Sequence, residues 1–152
     1  MGNVLLTLFS VFIPITLHTS VVPFLMRPDI FGGTPWAPPS MLTYIVLYYS
    51  MLYVILWLAS FVSNIYYTLF NCKKTHVLRS AGFANYTPVI ALLGVLLNNT
   101  LLLPFVKSML LSALHSVPYA HHFVNGALMA PFVFIGSMFS QRLLNHKVCG
   151  FY

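Results

Sequence analysis

The chain has 152 residues, of which 59% are hydrophobic, 16% aromatic and only 5% charged, against about 25% charged residues in an average soluble domain. That balance excludes a water-soluble globular domain and places the chain in lipid. Seven Lys and Arg stand against one acidic residue, Asp29, so the formal charge of +6 points to anionic lipid headgroups or an acidic partner surface; the basic residues form no aromatic-interleaved patch of the kind that tracks nucleic acid.

A helix needs about 20 apolar residues to cross the hydrocarbon, and four segments qualify: about 4–24, 40–70, 88–106 and 123–139. The fold class expected is an all-α integral membrane protein, a bundle of about four transmembrane helices joined by short loops, and residues 1–152 form a single polytopic domain. The first segment contains Pro14 and lacks a basic leader, so it reads as an uncleaved span and not as a signal peptide. Its opening, "MGNVLLT", puts Leu6 where an acylation motif requires a hydroxyl residue.

Between the first and second spans lies "GGTPWAPPSM", residues 32–41. Gly32 and Gly33 permit a sharp reversal, and Pro35, Pro38 and Pro39 hold the chain extended and withhold backbone donors. Ser40 is an expected N-cap for the second helix. Trp36 reads as an anchor at headgroup depth, where an amphipathic ring is favoured. The W-x-P-P pattern of Trp36, Pro38 and Pro39, followed by the pairs Leu47-Tyr48 and Leu52-Tyr53, resembles the translocator protein family, also called tryptophan-rich sensory proteins. The resemblance implies a hydrophobic pocket beneath this region and a lipid or tetrapyrrole as its ligand.

In the second span Tyr49, Tyr53, Trp57, Ser60, Asn64 and Tyr67 recur at intervals of three and four and share one helix face. An aromatic stripe with polar tips is expected to pack against neighbouring helices, its hydroxyl and amide groups bonding across the interface. The alternative is a ligand or lipid groove lined by Trp36, Tyr49, Tyr53 and Trp57. The segment from Asn71 to Thr87 is expected to be a loop carrying Lys73, Lys74 and Arg79; together with Arg142 and Lys147 in the tail these make five cations on one side, against Arg27 and Lys107 on the other. Positive residues are retained inside, which places both termini on the cytoplasmic or matrix face.

Pro88 occupies a favourable first-turn position for the third span. Asn98, Asn99 and Thr100 then fall near its middle, where amides must face other helices. The sequons "NYT" and "NNT" sit on the inner face and in the membrane, so neither is expected to carry sugar. Residues 107–117, "KSMLLSALHSV", read as a short interfacial helix ended by Pro118. In the fourth span Gly126 and Ala130, and Gly136 and Ser140, are spaced by four, which lets helix backbones approach closely.

Nothing here suggests catalysis. Asp29 is the sole carboxylate side chain, and the six His (18, 76, 115, 121, 122 and 146) include no pair at the i, i+4 spacing of a helical metal site. Cys72 and Cys149 are neither a disulfide framework nor a metal motif. The expectation is a non-enzymatic structural subunit of a larger membrane assembly, without cofactor. Its partners are the bilayer and other membrane or membrane-adjacent proteins, in an organellar complex or a viral particle; no nucleic acid is expected.

Overall fold

The computed structural model describes residues 2–17, 19, 41–71, 77–97, 103–114, 116 and 120–149. The stretch around Trp36, and Lys73, Lys74, Asn98 and Asn99, lie outside the described residues. Among the described residues there are helices and no strands: α1 (Gly2–Thr16), α2 (Met41–Asn71), α3 (Val77–Ala84), α4 (Tyr86–Leu97), α5 (Leu103–Ala113) and α6 (Ala120–Leu144), closed by a π-helical turn, Asn145–Cys149. Among the described residues three uninterrupted or nearly uninterrupted segments are long and apolar enough to cross a membrane: Ile45–Asn71, Val77–Leu97 and His122–Lys147.

The second helix agrees with its expected bounds, 40–70, to within a residue at each end, because no Gly or Pro interrupts its 31 residues. At about 1.5 Å per residue it exceeds a hydrocarbon layer of about 30 Å. α1 has 15 described residues, fewer than a crossing requires, and the remainder of the expected 4–24 span lies outside the described residues. α6 outruns its expected bounds of 123–139 at both ends, since Gln141 and Arg142 interrupt the hydropathy of the segment without interrupting its helix.

The third span departs most from expectation. It begins at Val77 and not at Pro88, so most of the segment from Asn71 to Thr87, read as a loop, is helical. Pro88 keeps its expected place in a first helical turn, that of α4, where it lies buried; what differs is that α3 runs into this turn from the other side, the two helices being divided at Asn85. The reason is steric: a proline has no N–H to give and its ring collides with the carbonyl four residues back, here that of Ala84. The chain responds by tightening at Asn85, whose N–H and side-chain amide both donate to the Gly82 carbonyl, at 3.4 and 3.2 Å. The described part of this span ends at Leu97, so the expected position of Asn98 and Asn99 at its middle lies outside the described residues. α5 begins four residues ahead of the expected interfacial helix and packs on α6.

α6 touches every other helix in the described bundle, most extensively α1 and α4. Small residues permit this. A Cβ added to Gly126 would collide with the Val11 carbonyl oxygen of α1, and one added to Gly136 would stand 2.9 Å from Thr87 Cα of α4. From the opposite direction, the Phe132 ring of α6 lies over Gly94, leaving no room for a Cβ there. α1 runs antiparallel to α6, with Asn3 beside Gln141 at one end and Phe12 against Phe123 at the other.

On α2 the buried seam is Leu52, Leu56, Ser60, Asn64 and Thr68, each 2% exposed or less. A strict step of four advances about 40° around an α-helix each time, so the seam winds from one neighbour to the next, as in packing along i±4 ridges. Leu52 and Leu56 join Leu6, Ile13, Leu17, Ala91, Met129 and Val133 in the apolar core. The polar half of the seam faces α3, α4 and α6 nearer the other end.

The glycine contacts set a test by contrast. Gly126→Val is expected to force α1 off α6 and lower stability by about 2 kcal/mol or more, in the range of overpacked cores. Gly82→Ala, where a Cβ meets nothing within 4 Å, is expected to be neutral or to stabilise by up to about 1 kcal/mol through helix propensity. Thermal unfolding in detergent micelles, followed by circular dichroism, compares the two.

Candidate functional site

The residues singled out on α2 divide between two jobs. Tyr53 donates its hydroxyl to Asn85 Oδ1 at 2.8 Å, and Trp57 donates its indole N–H to the Ala81 carbonyl at 3.2 Å while stacking on Phe61 at 5.3 Å between centroids. Both therefore grip the bend between α3 and α4. One turn further on, Ser60 and Thr87 share a hydrogen bond of 2.7 Å. Asn64 is fully buried and donates to Ser140 Oγ at 2.8 Å and to the Ser80 carbonyl at 3.3 Å, and Ser140 in turn donates to the Phe83 carbonyl.

Tyr49 is placed differently. It packs against the edge of the apolar core and lines a groove of about 480 Å³ with Val89, Leu92, Leu93, Val95 and Leu96. The structure thus separates Tyr49 from Tyr53 and Trp57, whose polar tips are engaged in the bend. Gly126 and Ala130 both lie buried on α6, Gly126 at the α1 contact.

A second polar cluster ties the first helix to the last; of its members sequence patterning singled out Ser137, among the small residues of the fourth span, but not Asn3, Ser63 or Gln141. Asn3 Nδ2 donates to Gln141 Oε1 at 2.9 Å, Ser137 donates to Asn3 Oδ1, and Gln141 reaches Ser63 Oγ at 3.5 Å. Three helices meet here, α1, α2 and α6. Asn85 was also missed; its signal was available, an amide three residues before a proline in an otherwise apolar run, where a freed carbonyl calls for a donor. Its sequon partner Thr87 is buried against Ser60.

These bonds gather one end of the bundle. The start of α1, the end of α2, the start of α3 and the end of α6 all lie there, α3 joined to the turn that follows α6 by Arg79 Nη1 donating to the Lys147 carbonyl at 2.8 Å. Arg79, Arg142 and Lys147 are all exposed. Among the described residues no three His, Cys, Asp or Glu side chains converge.

Two buried atoms stand outside the network, Asn64 Oδ1 and Ser80 Oγ, neither with a hydrogen-bond partner. An unsatisfied buried group carries its desolvation cost uncompensated. Ser80→Ala is therefore expected to leave stability unchanged or raise it by up to about 1 kcal/mol, whereas Ser140→Ala, which breaks two bonds, should cost about 1 kcal/mol or more. A double-mutant cycle on Asn64 and Ser140 should return a coupling of about 0.6 to 1.7 kcal/mol, the span seen for interhelical hydrogen bonds in membranes.

No protein-family model matches the chain, and no curated protein or solved structure matches it.

Proposed function

We propose that the chain is a non-enzymatic structural subunit, a four-span bundle held in a larger membrane-associated assembly of an organelle or a virus particle. The observation that carries this reading is how the polar side chains are used: those on the inner face of α2 bond to other helices of the same chain. What the bundle leaves outward is apolar. Between α1 and α2 runs a furrow of about 730 Å³, floored by Gly2, Ala59 and Ser63 and walled by Leu5, Phe9, Leu58 and Val62. A furrow with a floor of small residues suits the close approach of an apolar helix from a neighbouring subunit.

α1 supplies the fourth span in this proposal, since it runs antiparallel to α6 and starts from the end of the bundle where α6 finishes. That end also carries Arg79, Arg142 and Lys147, and by retention of positive charge it is assigned to the cytoplasmic or matrix side. In sealed vesicles an impermeant maleimide should therefore find Cys72 and Cys149 equally protected or equally reactive. Labelling of one alone would end the four-span arrangement.

A second reading, a membrane binder of a lipid or tetrapyrrole, draws on the open groove beside Tyr49. Native mass spectrometry after gentle-detergent extraction separates the two. The subunit reading expects stable protein partners, lost on Ala59→Phe, which fills the furrow, while thermal stability stays within about 1 kcal/mol of wild type. A partner-free monomer carrying one defined apolar molecule, released on Tyr49→Ala, would establish the binder instead.

A further inference from the structure

The end of the bundle where α1 begins and α6 finishes holds a groove that neither reading uses. It has a volume of about 690 Å³ and is lined by Arg79 and Lys147 at its mouth and by Leu78, Phe83, Tyr86 and Val89 along its length. The geometry points to this groove as a binding site for a single anionic glycerophospholipid, with the headgroup phosphate between Arg79 and Lys147 and an acyl chain along α3 and α4.

Charge is the first argument. The only carboxylate side chain in the chain is that of Asp29, so no acidic side chain among the described residues can neutralise these two cations. Arg79 donates through Nη1 to the Lys147 carbonyl at 2.8 Å, which brings the C-terminal turn onto α3 and sets both cations at the same groove. A guanidinium has five N–H donors in a planar fork. The others remain suited to two oxygens of one phosphate, the geometry for which arginine is favoured over lysine.

Length is the second. From Arg79 to Val89 is ten residues, about 15 Å along a helix, close to half of a hydrocarbon layer of about 30 Å. The groove is therefore about one leaflet deep, basic at the headgroup level and apolar below it. Leu78, Tyr86 and Val89 are 89%, 39% and 44% exposed, and the rings of Phe83 and Tyr86, stacked at 6.2 Å between centroids, make a continuous apolar wall. A soluble acidic peptide would satisfy the mouth and leave that wall uncovered; a phospholipid satisfies both.

The experiment is reconstitution of the full chain into bilayers of equal dioleoylphosphatidylglycerol and dioleoylphosphatidylcholine, followed by extraction and native mass spectrometry. Wild type should retain one phosphatidylglycerol in clear preference to phosphatidylcholine. Each of Arg79→Gln and Lys147→Gln should reduce that preference about fivefold, while Arg142→Gln, an exposed cation outside the groove, should change it by less than about twofold. Val89→Trp, with both charges intact, fills the apolar length and should also release the lipid; this variant decides the matter should the charge variants fail to fold. Inorganic phosphate in millimolar excess should not displace the lipid. Equal losses in Arg142→Gln would mean diffuse surface charge and overturn the site. Displacement by phosphate with Val89→Trp silent would reduce it to an anion contact, and retention of an acidic protein in place of lipid would overturn it as well.

Discussion

The bundle depends on how closely the last helix can approach its neighbours. Three of the bundle's segments are long and apolar enough to cross a membrane; surrounded by lipid chains as apolar as leucine, such helices would gain no hydrophobic drive toward one another, and their association would rest on packing and on hydrogen bonds between helices. α6 meets α1 and α4 backbone to backbone, at Gly126 against Val11 and at Gly136 against Thr87. Those two contacts determine where α1 and α4 lie. Once they lie there, Asn3 reaches Gln141, Phe83 reaches Ser140, and Phe132 finds the space above Gly94.

Packing and polarity are segregated along the bundle. Towards one end the core is aliphatic, with Leu52, Leu56, Met129 and Val133 in mutual contact; nearer the other, Ser60, Asn64, Thr87 and Ser140 replace them. The polar layer holds the bend of the third span, because Tyr53 donates to the Asn85 side chain and Trp57 donates to the Ala81 carbonyl, whose helical donor, the Asn85 N–H, turns to Gly82 instead. A kink in a membrane helix must be re-satisfied by its neighbours, and α2 supplies that service from a face of aromatic donors.

How much of this is legible in the sequence varies with the range of the interaction. α2 is read almost to the residue, since an unbroken apolar run states its own length. The face bearing Tyr53, Trp57 and Asn64 is legible too, because helical periodicity is local. The start of the third span is not: Arg79, Ser80 and Gly82 lower the hydropathy of a segment that is nonetheless helical, and a proline in a first turn, as Pro88 is in α4, does not show that another helix runs into that turn. Small residues at Gly126 and Ala130 announce a close contact without naming the helix that makes it. The Asn3–Gln141 pair, 138 residues apart, belongs to tertiary structure alone.

That last pairing also bears on the order in which the molecule can be made. The Ser137 hydroxyl that Asn3 accepts from lies 134 residues further along the chain, and α1 makes more of its contacts with α6 than with α2. At about 5–20 residues per second, α1 emerges on the order of ten seconds before its principal partner exists. During that interval Asn3 and the backbone at Val11 lack the α6 groups they meet in the finished bundle. Of the described helices α1 is thus the earliest made, and its main packing surface stays incomplete until α6 follows it.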